Sequence, residues 1–125
     1  METMTQDNKD LLLKDICSRL PYGIKVEYNN YTCEVLSIDR FHEELTIWKC
    51  AGTYLDASLE DCKPYLFPLD KISGDMWSEY LATCVGSNAA FPTLKSFEWC
   101  NENHVDFRGL ILKGLALDAT GKNIY

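Results

Sequence analysis

Between residues 7 and 20 the apolar positions Leu12, Ile16 and Leu20 recur every fourth residue, with Leu13 and Cys17 beside them, which predicts a helix with one apolar face. Thr5 or Asp7 is placed to cap its start, and Pro21 to end it. From residue 23 the period changes to two. Ile24, Val26 and Tyr28 alternate with Lys25 and Glu27, the pattern of a half-buried strand. Asn29-Asn30 tolerates left-handed backbone and predicts a tight hairpin turn. The second strand, over 31–38, begins with Tyr31, Cys33 and Val35 in phase. Leu36 and Ile38 then fall out of phase, so a bulge is expected near Val35-Leu36. After a polar turn over 39–44, a third strand is expected over 45–50, a turn at 51–52 and a short fourth strand over 53–55. Four short strands on so few residues predict an antiparallel meander curled into a small SH3-like half-barrel, its open face covered by the first helix.

The second half reads differently. Residues 63–69 (Lys-Pro-Tyr-Leu-Phe-Pro-Leu) are apolar but punctuated by Pro64 and Pro68, which predicts an extended connector, not a helix or a central strand. Ser73 is placed to cap a helix over 74–85, with Met76, Tyr80 and Cys84 on one face and Trp77 and Leu81 next to them. A loop over 86–92 leads to a last helix capped by Thr93, with Leu94, Phe97 and Cys100 facing inward, and a further helical turn is expected over 107–112. The chain is thus expected to be one α+β domain over 1–125: helix 7–20, antiparallel strands 23–62, proline-rich connector 63–72, and a part with two to three helices over 73–125.

Composition narrows the class of partner. The net charge is −7, with three arginines (Arg19, Arg40, Arg108) and scattered lysines. No basic stripe exists for a phosphate backbone, which argues against direct nucleic-acid binding. The acidity suits a basic protein partner, or serves solubility alone. No apolar run approaches the ~18 residues of a membrane span, and residues 1–7 lack the order of a signal peptide, so a cytoplasmic protein with no membrane contact is expected. The six cysteines (17, 33, 50, 62, 84, 100) are widely spaced and sit mostly at apolar positions, which predicts reduced, structural thiols. A zinc site joining His42 or His104 to some of them lacks the close ligand spacing.

The densest run of functional side chains is 101–109, Asn-Glu-Asn-His-Val-Asp-Phe-Arg-Gly. In one reading His104 is a general base oriented by Asp106, with Arg108 holding an anion. In the other, Asn103 and His104 end a helix, Asp106 caps the next turn and Arg108 pairs with a carboxylate. Gly-x-Ser-x-Gly, phosphate-loop and dinucleotide motifs are absent from the sequence, and no cofactor is implied. Asp56, Glu60 and Asp61 form an acidic stretch without calcium-loop spacing. Of Trp48, Trp77 and Trp99, the last two lie beside the apolar faces of their helices, which makes them the candidate exposed anchors for a partner.

Residues 10–23, residues 63–69 and the ending over 104–116 resemble segments of small uncharacterised proteins of phages and prophages in gut Bacteroides-type bacteria. The resemblance covers about half of the chain, leaves out the strand region and 81–93, and implies a phage-borne protein acting in the cytoplasm of a bacterial host. Three functions are expected on these grounds. The first is a non-enzymatic accessory protein that docks on a host protein, a defence nuclease or its regulator, and blocks it. The second sequesters a small nucleotide signal, with a tryptophan on the base and Arg108 on the phosphate. The third is a small hydrolase or nuclease centred on His104, Asp106 and Arg108. Asn103, Trp77 and Trp99 complete the candidate binding residues, and the oligomeric state is left open.

Overall fold

The computed structural model describes residues 4–50, 52–86 and 91–125. Ala51 of the expected turn, most of the loop expected over 86–92 and the first three residues lie outside the described residues. Helix α1 spans Gln6–Arg19. Thr5, in extended backbone, caps it by accepting a hydrogen bond from the Asn8 amide at 3.2 Å. Pro21 closes the helix within a single 3-10 turn, Leu20–Tyr22, and Gly23 leaves it at a φ of 77°, a left-handed value that glycine adopts without strain. The buried stripe of α1 is Leu12, Asp15, Ile16 and Arg19. Two of these four core-facing positions carry charge.

Strands β1 (Lys25–Tyr28), β2 (Tyr31–Asp39), β3 (Glu44–Cys50) and β4 (Thr53–Ser58) form the antiparallel meander, extending the expected fourth strand by three residues. Asn29 and Asn30 both take positive φ, 47° and 67°, so the β1–β2 hairpin closes with the twist that neighbouring strands require. The register shifts between Val35 and Ser37, leaving Leu36 as the extra residue at the expected bulge. A second shift lies between Trp48 and Cys50.

The proline-rich connector is corrected by the structure. Residues Lys63–Pro68 form strand β5, which lies between β1 and β6 in the seven-stranded order β4-β3-β2-β1-β5-β6 and also pairs with β7. It runs antiparallel to β1 and parallel to the two-residue strands β6 (Val105–Asp106) and β7 (Leu117–Asp118). The strand survives because its prolines stand near its two ends, while the residues between them remain available to the ladder. The Phe67 amide donates to the His104 carbonyl at 2.8 Å, and the Leu66 carbonyl accepts from Ala119 at 2.8 Å.

One face of the sheet is apolar. Val26, Cys33, Val35, Leu45, Ile47 and Ala57 pack against Leu12 and Ile16 of α1 and close the main core. A second, smaller core of Tyr80, Cys100 and Val105 joins helix α2 (Gly74–Thr83) to helix α3 (Leu94–Glu102) and β6. Ser73 stands at the start of α2 but makes no side-chain cap, and α2 ends at Thr83, two residues early. The inward face of α3 also differs from expectation. Ser96 and Cys100 are buried, whereas Leu94 is 86% exposed and Phe97 37%. Ser96 faces inward because its hydroxyl completes a capping box: it accepts from the Thr93 amide at 2.9 Å and donates to the Thr83 carbonyl at 3.1 Å. Thr93 Oγ1 donates to the same carbonyl at 2.7 Å, tying the two helices end to end. Thr93→Ala is expected to cost about 1–2 kcal/mol in urea unfolding, and a loss below ~0.3 kcal/mol would mean the cap is not made in solution. In place of the expected helical turn over 107–112, residues 107–109 are irregular and 110–114 form a turn.

Candidate functional site

The charged residues on the buried face of α1 reach the segment that the sequence marks as richest in chemistry. The Arg19 guanidinium is fully buried and grips Asp15 with two parallel hydrogen bonds, at 3.0 and 3.1 Å. Its remaining donors reach the Cys100 carbonyl at the end of α3, at 3.0 Å, and the Val105 carbonyl of β6, at 2.8 Å. Arg108 donates to the same Asp15 carboxylate at 2.6 Å, so one buried carboxylate holds two guanidinium groups. The Arg108 guanidinium also lies 4.1 Å from the centre of the Phe107 ring. This knot joins α1 to the backbone of α3 and β6 through the Arg19 side chain.

Asn103, His104 and Asp106 of this run are each engaged by the chain itself. Asn103 Nδ2 donates to the Trp99 carbonyl at 2.9 Å and ends α3. His104 takes a left-handed φ of 58° and is buried. Its ring stacks on Tyr125 with centroids 3.7 Å apart and planes 10° from parallel. The Tyr125 hydroxyl is fixed in turn, donating to the Tyr65 carbonyl at 2.8 Å and accepting from the Lys25 amide at 3.0 Å. His104 Nδ1 is the one buried side-chain nitrogen or oxygen without a partner among the described residues. Burial, reinforced by the cations of Arg19 and Lys25, pushes the imidazole down to about 4, so it is neutral at neutral pH. The Asp106 carboxylate accepts three backbone amides, from Arg108, Leu110 and Ile111, at 3.2, 3.1 and 2.9 Å, and so caps the turn that follows it. His104, Asp106 and Arg108 thus engage three different structural tasks and share no hydrogen bond between side chains.

Among the described residues no three His, Cys, Asp or Glu side chains gather as a metal-holding group. His42 is exposed and pairs with Asp39 at 2.6 Å, which holds its pKa above the ordinary value. The acidic stretch is dispersed: Asp56 accepts from Thr46 at 2.8 Å, and Glu60 pairs with Lys9 at 2.6 Å. The buried thiols of Cys62 and Cys100 are pushed up to about 12 and about 11 by burial, which leaves them protonated and poor nucleophiles.

What the structure leaves open to a partner lies beside this cluster. A groove of about 490 Å³ is walled by Pro68, Leu69, Tyr80, Trp77, Ile111 and Leu112. Trp77 is 41% exposed and meets Tyr80 in a tilted ring contact at 5.7 Å, and Tyr80 also meets Trp99 at 5.7 Å. Trp99 is half-buried, so the two candidate anchors play different parts: Trp77 presents its ring and Trp99 supports it from behind. Leu112, 96% exposed, stands at the opposite lip. The rim carries Asp70, Lys71 and Asp118, with Asp106 below it. A shallower cleft between α1 and α3 is lined by Leu11, Leu94 and the stacked pair Phe97–Phe107, with Lys14 and Arg108 at its edge. On the outer sheet face Trp48 pairs across the strands with Tyr54, and both are exposed. The sequence reading overlooked the Asp15–Arg19 knot, although opposite charges four residues apart beside an apolar stripe signal it, and it overlooked Leu112, which no periodicity marks.

Compared with protein-family models, curated proteins and solved structures, the chain matches none. Among the described residues no helix is long and apolar enough to cross a membrane. The class that geometry and topology define is an α+β protein with a seven-stranded, mostly antiparallel sheet between an N-terminal helix and C-terminal helices.

Proposed function

We propose that this chain is a non-enzymatic binding protein that docks on another protein through the Trp77–Leu112 groove. Its partner is a protein of the bacterial host in whose cytoplasm it acts, and in the phage setting that the sequence resemblance implies, the partner is a defence protein that docking blocks. The observation that carries the reading is an apolar groove with a half-exposed tryptophan on one wall and an almost bare leucine on the other. Large aromatic side chains held rigidly at a surface supply most of the energy of protein docking, and Trp77 is held by Tyr80 and, behind it, Trp99. The catalytic alternative draws no comparable support, because His104, Asp106 and Arg108 each serve the fold. Nucleotide sequestration fares similarly: the Arg108 guanidinium is taken by Asp15, and the rim beside Trp77 is rich in carboxylates that repel phosphate. We also propose that the meander is curled as an SH3-like half-barrel, on the strength of β5 returning to pair with β1 after a 3-10 turn at Leu59–Asp61 and of the two bulges.

The test is affinity capture from host lysate with the tagged chain and its Trp77→Ala variant, beside mass spectrometry of small molecules released on denaturation. One dominant host protein is expected, its capture falling at least about tenfold in Trp77→Ala, as for an interface anchor, while the unfolding midpoint stays close to that of the parent. Equal capture by both chains, or a released nucleotide with no protein partner, would overturn the reading.

A further inference from the structure

Resting on that docking reading, we infer that the occupant of the Trp77–Leu112 groove is a partner segment carrying an apolar side chain beside a lysine or arginine. The groove's walls and its rim ask for different things. The walls of Trp77, Tyr80, Ile111 and Leu112 bury apolar surface. The rim brings three carboxylates, Asp70, Asp106 and Asp118, against one ammonium, Lys71. That ammonium already sits 3.3 Å from Asp118. Asp106 is turned onto backbone amides and contributes charge without offering a contact. Asp70 is exposed and makes no hydrogen bond or ion pair among the described residues, so it is the carboxylate available to a cation.

The surroundings reinforce the sign. A chain of net charge −7 sets up a field that draws cationic segments and repels anionic ones. Asp70 and Trp77 line the same groove, and an aromatic ring there also attracts an arginine or lysine. Leu112, 96% exposed at the lip, adds apolar area outside the groove that a polypeptide segment covers and a small molecule held within the groove leaves bare.

The experiment is selection of a random-peptide display library on the immobilised full chain, followed by titration of the enriched synthetic peptides against the parent chain, Trp77→Ala and Asp70→Lys. Asp70 is exposed, and thermal melts of Asp70→Lys matching the parent establish that the variant is folded. The expected winners carry Arg or Lys next to Leu, Phe or Trp and are lost on Trp77→Ala. They weaken about tenfold on Asp70→Lys, and that difference shrinks at about 0.5 M salt, as a rim charge pair requires. Winners that need Trp77 but are acidic or neutral and ignore Asp70→Lys would leave the docking reading standing and overturn this inference. Winners indifferent to Trp77→Ala, or the absence of any winner, would overturn both.

Discussion

Asp15→Ala is expected to lower the unfolding free energy by about 3–5 kcal/mol, because it leaves the fully buried Arg19 guanidinium without its counter-charge. A neutral polar group in the same place would cost less to strand; an uncompensated buried cation is among the most expensive defects a small domain can carry. The loss has a specific shape. Arg108 is partly exposed, at 14% of its side chain, and Asp15 keeps both hydrogen bonds from Arg19 without it, so Arg108→Ala is expected to cost only about 1 kcal/mol. Arg19→Met strands Asp15 less completely, since Arg108 still reaches it, but frees the carbonyls of Cys100 and Val105. The double variant Asp15→Ala/Arg19→Met should therefore be more stable than the sum of the single losses predicts, by about 2 kcal/mol or more. Urea unfolding followed by tryptophan fluorescence measures the four variants against the parent. If Asp15→Ala cost less than about 1 kcal/mol, or if the losses simply added, the knot would not be the dry pair described here.

The knot also marks where sequence reading stops. The start of α1, the Asn29-Asn30 turn, the bulge at Leu36 and the Thr93 cap were all readable, because each follows from a local rule acting on adjacent residues. Strand β5 was not: its prolines argue against a central strand, and only its partners distant in the chain, at 26–27, 105–106 and 117–118, show that it is one. The inward face of α3 failed for a related reason. Leu94 has the right phase for burial, yet Ser96 takes the inner place because its hydroxyl is needed at Thr83, ten residues upstream of the helix cap. The candidate site divides the same way. The run 101–109 is conspicuous in sequence, but its roles depend on Asp15, 93 residues from Arg108, and on Tyr125 stacking over His104. The groove was half legible: Trp77 stands out by type, whereas Ile111 and Leu112 reach it only because Asp106 bends the chain that follows.

The second large effect is a pH dependence carried by His104. In the unfolded chain its imidazole titrates near the ordinary 6.5, and in the folded chain near about 4, since protonation places a cation in a buried site that Arg19 and Lys25 already make positive. Between those values the unfolded chain binds the extra proton, so stability is full above about pH 6.5 and falls as the pH drops toward about 4, by on the order of 3 kcal/mol from this residue. His104→Asn isolates the effect, because asparagine keeps the left-handed backbone that position 104 adopts and does not titrate. At pH 7 the variant is expected to be somewhat less stable than the parent, having lost the stack on Tyr125. As the pH falls to 4.5 that difference should close or reverse. The exposed His42, whose raised pKa works in the opposite direction, is present in both chains and cancels in the difference. Urea midpoints of both chains at a series of pH values, with an NMR titration of the His104 ring, read the effect directly. A difference that stays constant with pH would mean that the ring takes up its proton inside the fold at its ordinary pKa. The Tyr125 stack would then have to open in the native state to let water reach it.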